Sequence, residues 1–279
     1  MKSAATSFLV LFALSILQSQ TIPEKISEKD FSIGKTLLIK SVILEETREL
    51  NIYLPQGYSK DSLKTYPVIY LLDGSKEEDF IHIAGIVQFG SFSWINMIPK
   101  SIVVGISNVD RKRDFTAPSG NERDQKEFPS SGKSENFIDF IENELQPFIA
   151  ATYRVHNENT LLGQSLGGLL ATEILLKKPE LFDNYIIVSP SLWWNDEKLL
   201  NQKFKVAESI SSIYIAVGKE GDVMERTAKE LFNKLNASKS PNTALYFEFM
   251  EDKTHGDALH QAVYNAFEMI FGGNTKKNR

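Results

Sequence analysis

Apolar and polar positions follow two rhythms along this chain. Near the start, the extended runs 36–44 and 49–54 flank the polar Glu45-Glu46-Thr47-Arg48 and predict an antiparallel hairpin. Beyond them come short, almost wholly apolar runs at 66–72, 101–106, 160–162, 185–188, 213–217 and 244–249. Between these runs the spacing changes to that of amphipathic helices. The clearest helix is 135–153, with Phe137, Ile138, Phe140, Ile141, Leu145 and Phe148 on one side; 224–235 and 258–271 are the next. Continuously apolar strands alternating with helices predict an α/β fold: a mostly parallel central sheet of about eight strands with helices on both faces.

With 279 residues, 42% of them hydrophobic, the chain suits one large domain rather than two. A net charge of -5, with both signs interspersed, provides no basic footprint for nucleic acid. The N-terminus adds an address. Met1-Lys2 leads into the apolar Phe8-Leu9-Val10-Leu11-Phe12-Ala13-Leu14-Ser15-Ile16-Leu17 and then Gln18-Ser19-Gln20. This pattern predicts a signal peptide over 1–19, one large domain over 20–273 and a polar tail over 274–279. The run is shorter than the ~20 apolar residues that span a bilayer, so no stable membrane anchor is expected after cleavage. The absence of cysteine excludes a lipid-bearing cysteine and a disulfide framework. The expected location is periplasmic or secreted.

Gly163-Gln164-Ser165-Leu166-Gly167-Gly168 follows the 160–162 run and precedes an apolar helical pattern. A serine between glycines at minus two and plus two, set between strand and helix, is the signature of a nucleophile elbow. A serine hydroxyl needs a base, and the base needs a carboxylate to fix its tautomer. In this fold the acid and then the histidine follow the serine, which leaves His255 and His260. His255 lies on the loop after the last strand and is the candidate base; His260, inside the last helix, reads as structural, as does His156. His82 falls early in the helix after Gly74 and could border a pocket. The carboxylate belongs in the turn after 213–217, where Glu220 and Asp222 both have the reach. The longer side chain and the adjacent Gly221 favour Glu220. The oxyanion donors expected are the backbone amides of Leu166 and of Ser75 or Gly74, with Asp73 stabilising the turn.

The segments YPVIYLLDGS, VVGISNVDRKRDFTAP, LLGQSLGG, KKPELFDNYIIVSPSLWW and IYIAVGKEG, with the Thr254-His255 turn, resemble in order the esterases of the esterase D and enterochelin esterase group within the α/β-hydrolase superfamily. The resemblance implies Ser165 as nucleophile, His255 as base and Glu220 as the matching acid. It also implies that Trp193 and Trp194 border the acyl pocket, and that Arg111 and Arg113, in the long polar stretch 110–133, attract an anionic substrate. The connection between 188 and 213 is too short for a cap domain, so an open site is expected. The expected activity is that of an exported serine carboxylic-ester hydrolase working through an acyl-enzyme on a small-molecule ester. It requires no metal or cofactor. Enterobactin-like trilactones lead as substrates; carbohydrate acetyl or feruloyl esters are the alternative, with acyl transfer to an acceptor alcohol and a non-catalytic binding module as rivals from other classes.

Overall fold

A computed structural model of the chain describes residues 22–272. Eight strands form one sheet: β1 (Lys35–Lys40), β2 (Thr47–Tyr53), β3 (Tyr66–Leu71), β4 (Ile102–Ile106), β5 (Val155–Gln164), β6 (Asn184–Val188), β7 (Ser212–Gly218) and β8 (Ala244–Met250). Their spatial order is β1-β2-β4-β3-β5-β6-β7-β8. The β1–β2 and β2–β4 pairs are antiparallel, and every pair from β4 onward is parallel. This is the α/β-hydrolase arrangement that the sequence predicts. Residues 22–32 carry no helix or strand, and the unit that holds the sheet begins at Ile33. The segments expected as signal peptide (1–19) and tail (274–279) lie outside the described residues.

The parallel strands are apolar throughout because both faces are covered. On β3, Val68 and Tyr70 face one core while Ile69 and Leu71 face the other; on β7, Ile213, Ile215 and Val217 oppose Tyr214 and Ala216. The first helices are α1 (Phe80–Gly90), α2 (Arg111–Phe115), α3 (Glu122–Glu127), α4 (Ser134–Phe140) and α5 (Gln146–Thr152). After them come α6 (Leu166–Lys177), the short turn α7 (Trp194–Glu197), α8 (Asp222–Ser238) and α9 (Ala258–Phe271). Ile83 and Val87 of α1 and Ala262, Val263 and Phe267 of α9 close one face; α4, α5, α6 and α8 close the other.

Three elements depart from the sequence expectation, each for a local reason. The first strand stops at Lys40 rather than 44, because the Glu144 carboxylate binds Ser41 Oγ (2.5 Å) and the N–H groups of Val42 (2.8 Å) and Ile43 (3.1 Å), holding them in a turn. The helix expected over 135–153 contains a π-helical turn, Ile141–Leu145, between α4 and α5. Pro147 follows it; lacking an N–H and crowding the carbonyl four residues back, a proline widens the ladder upstream. The stretch 110–133 is folded rather than open loop. Asp110 caps α2 through Arg113 N (3.0 Å), Asn121 caps α3, and Lys133 N donates to Arg113 O (3.0 Å).

Candidate active site

The carboxyl ends of the parallel strands gather the polar residues, as open α/β sheets do. Ser165 follows β5 directly and precedes α6, with φ 60° and ψ -119°. That backbone is strained for a residue with a side chain, and hydrogen bonds hold it. Ser165 N donates to Val188 O (3.0 Å), and Ser165 O accepts from Leu169 N (2.9 Å) and Ser191 N (3.0 Å). The two glycines of the motif differ in necessity. A Cβ on Gly163 would meet Gly167 O at 2.4 Å, a collision with backbone, whereas one on Gly167 would meet nothing nearer than Asp73 Oδ2 at 3.3 Å. Ser165 Oγ lies 3.3 Å from Ser191 Oγ, and among the described residues no hydrogen bond joins it to His255. In this class of site that contact commonly tightens only around substrate.

Glu220 projects from the turn after β7, and His255 stands on the turn after β8. Their side chains meet, with His255 Nδ1 2.6 Å from Glu220 Oε2. The other oxygen, Oε1, accepts from Ser189 Oγ (2.5 Å) and Gly218 N (2.9 Å). Burial pushes the Glu220 carboxyl up, yet these bonds and that of His255 outweigh it and leave the group below its ordinary value. An ionised carboxylate accepts, so the Nδ1 position carries the proton and Nε2 is left to act on the serine side. The histidine loop is itself pinned: Gln164 Nε2 donates to His255 O (2.7 Å), and Asp257 Oδ1 takes Thr254 N (2.6 Å). Asp222, the alternative acid, is exposed at the first position of α8.

Of the oxyanion donors, Leu166 N–H opens α6 and Ser75 N–H follows the β3 turn; among the described residues neither donates to another group. Gly74, expected as an alternative donor, does not supply one. Its N–H donates to Ile106 O (3.0 Å), and a Cβ on it would lie 2.3 Å from Gly105 Cα. Gly74 is therefore a close-packing glycine between the β3 turn and β4, and its amide is already used.

The two arginines separate. Arg113 turns away into an ion cluster, binding Asp114 Oδ1 (2.7 Å) and Glu46 (2.7 and 3.0 Å), beside fully buried Arg48, which also binds Asp114 (2.7 Å). Its expected substrate role is not supported by this geometry, because both faces of its fork are taken up in holding α2 to the β1–β2 turn. Arg111 stays at the site and grips Asp73 with two hydrogen bonds (2.6 and 2.8 Å). Trp194 is buried, donates from Nε1 to Ala117 O (2.9 Å) and lines a cavity of about 250 Å3 with Pro118, Leu169 and Asn195. Trp193, half-buried, packs on Phe128 and Trp194. Asn195, Asp196 and Glu197 all have positive φ, and Asn195 bonds Gly120 N and Asp124 across the gap, so this turn and the 117–125 segment form one wall.

His82 and His260 bring their rings within 5.4 Å, edge to face, in a crevice that also contains Asp79, Gln164 and Gly256. Among the described residues no group of three or more His, Cys, Asp or Glu side chains is placed to hold a metal ion, and no helix is long and apolar enough to cross a membrane. Sequence reasoning passed over Gln164, Ser189 and Ser191 as site residues. The available signal was their position: each lies at or just past the end of β5 or β6, beside the nucleophile.

The family model described as "Putative esterase" matches residues 41–268. The Ferri-bacillibactin esterase BesA of Bacillus subtilis is 34% identical over 170 residues, 56% of this chain and 58% of its own length. The Siderophore triacetylfusarinine C esterase of Aspergillus fumigatus is 34% identical over 117 residues, 39% of this chain and 40% of its own length. The match thus spans about half the length of these two curated relatives. Among solved structures, an IroE-like serine hydrolase from Shewanella oneidensis superposes with a TM-score of 0.74 at 30% identity, covering 86% of this chain and 80% of the other.

Proposed function

The chain belongs to the family described as "Putative esterase", and we propose that it is an exported serine carboxylic-ester hydrolase whose substrates are siderophore esters. The observation that carries the reading is the Glu220–His255 pair at 2.6 Å beside a serine held at an elbow with two open backbone donors. In the proposed reaction, His255 Nε2 takes the proton of Ser165 as its oxygen attacks the ester carbonyl. The N–H groups of Leu166 and Ser75 receive the oxyanion, and each such donor is worth about 3 to 4 kcal/mol in the transition state. Collapse expels the alcohol, protonated by His255, and leaves Ser165 acylated. Water then repeats the sequence and releases the acid.

The substrate class draws support from relatives named for bacillibactin and triacetylfusarinine C. Export rests on the Lys2 and Phe8-to-Leu17 pattern. The test is hydrolysis of a panel containing a ferric tricatecholate trilactone, feruloyl and acetyl sugar esters and short p-nitrophenyl esters, with Ser165→Ala as blank. Trilactone turnover that disappears in the variant is expected. Serine-dependent cleavage of sugar or short esters alone would overturn the substrate, and transfer to an added alcohol without net hydrolysis would overturn the reaction.

A further inference from the structure

The two open donors sit on different loops, and something must fix the distance between them. Ser75 follows the β3 turn, Leu166 follows β5, and these strands are neighbours with Leu71 opposite Leu162. Strand pairing ends there. Beyond it, Asp73 has φ 56° and Ser165 φ 60°, both in the left-handed region that side chains disfavour, so neither loop would keep its shape unaided. Arg111 touches both. Its Nε and Nη2 hold Asp73 Oδ1 and Oδ2 at 2.6 and 2.8 Å, and the same Nη2 donates to Gln164 O at 3.2 Å. Asn108 Nδ2 adds a bond to Asp73 Oδ1 at 2.6 Å. Gln164 O belongs to the peptide that enters Ser165, so fixing it orients the peptide plane from which the elbow turns. Asp73 is in turn packed over the first turn of α6, 3.3 Å from where a Cβ of Gly167 would stand.

A guanidinium paired bidentately with a carboxylate is neutralised and geometrically committed. This makes it a poor lure for an anionic ligand and a good brace.

We propose that Arg111 is a positioning residue that bridges Asp73 and Gln164 and thereby sets the spacing of the Ser75 and Leu166 donors. The inference rests on the serine-esterase reading above. It gives Arg111 a role in turnover of any ester, charged or neutral, without contact with the substrate.

The experiment compares Arg111→Lys, Arg111→Met and Asp73→Asn with wild type on neutral p-nitrophenyl acetate and butyrate, and measures inhibition by a trifluoromethyl ketone that forms a tetrahedral adduct with serine. The expected result is a kcat about 10- to 100-fold lower with KM within about twofold, since displacing a donor by an ångström costs on that order. Affinity for the ketone should fall by the same factor as kcat/KM. Lysine should not rescue, because a single ammonium cannot reproduce the fork. Lys112→Met, one residue along and exposed, should leave kcat unchanged. Thermal melts report folding, and Asp73→Asn, nearly isosteric, supplies the same reading if Arg111→Met does not fold. Unchanged kcat and ketone affinity in the folded variants, with any loss confined to KM for anionic esters, would overturn the inference and make Arg111 an anion-binding residue. Neutral-ester turnover that survives in Ser165→Ala would instead overturn the esterase reading, and the inference with it.

Discussion

His255 Nδ1 and Glu220 Oε2 lie 2.6 Å apart although 35 residues separate them in the chain, and the carboxylate end of that pair is buried while the imidazole is half-exposed. Replacing Glu220 by glutamine keeps the shape but removes the charge that fixes the tautomer. We expect Glu220→Gln to lower kcat by about 10³-fold or more, with Asp222→Asn within about twofold of wild type. Steady-state kinetics on a p-nitrophenyl ester checks both; comparable losses in the two variants would mean that the acid has been misassigned.

Ser189 Oγ donates to Glu220 from the far side, at the end of β6. A hydrogen bond to a buried charge contributes about 1.5 to 3 kcal/mol. Ser189→Ala should therefore lower the melting temperature by several degrees and kcat by about tenfold, whereas Ser189→Thr should not rescue either, because residue 189 is buried at φ 45°, where a β-branched side chain is strained.

The glycines at minus two and plus two of Ser165 should not respond alike. Gly163→Ala drives a methyl into Gly167 O at 2.4 Å and is expected to cost about 3 kcal/mol and most of the activity. Gly167→Ala meets nothing nearer than Asp73 Oδ2 at 3.3 Å and Leu72 Cβ at 3.4 Å, and should be milder on both counts. Denaturant unfolding of the two variants decides the point.

Asp79, at the start of α1, accepts no capping hydrogen bond. Burial, with repulsion from Asp73 and Glu78, pushes its carboxyl up to about 6 from 3.8. The folded state therefore binds this proton more tightly than the unfolded chain, and stability from this group is lost as pH rises from about 4 to about 6. Asp79→Asn should be more stable than wild type at pH 8, by about 1 to 2 kcal/mol, and the advantage should vanish below pH 4. A pH series of urea titrations measures it.

The sheet and the elbow were legible because their signals are local: continuous apolar runs, and a serine between glycines at a strand-to-helix junction. Glu220 against Asp222 was legible only in part: both lie in one turn and reach does not separate them, so the preference for Glu220 rested on its longer side chain and on Gly221. Gly221, at φ 91°, ends the turn and sends Asp222 into α8, facing solvent. Arg113 was misread for a different reason. Its partner Glu46 lies 67 residues away, and residues two apart on a helix point in different directions, so Arg111 and Arg113 could not share a role. The shortened β1 likewise depends on Glu144, about 100 residues distant. Pro147, by contrast, was visible in the sequence and marks the π-helical turn beside it.

In the proposed reaction Ser165 carries the acyl group from the ester to water. Acid-quenching the enzyme during p-nitrophenyl acetate turnover and mapping the adduct by peptide mass spectrometry would capture that intermediate. An acetyl group is expected on the Ser165 peptide in wild type, absent together with turnover in Ser165→Ala. Turnover at an undiminished rate in Ser165→Ala, or an adduct on another residue, would contradict that reaction.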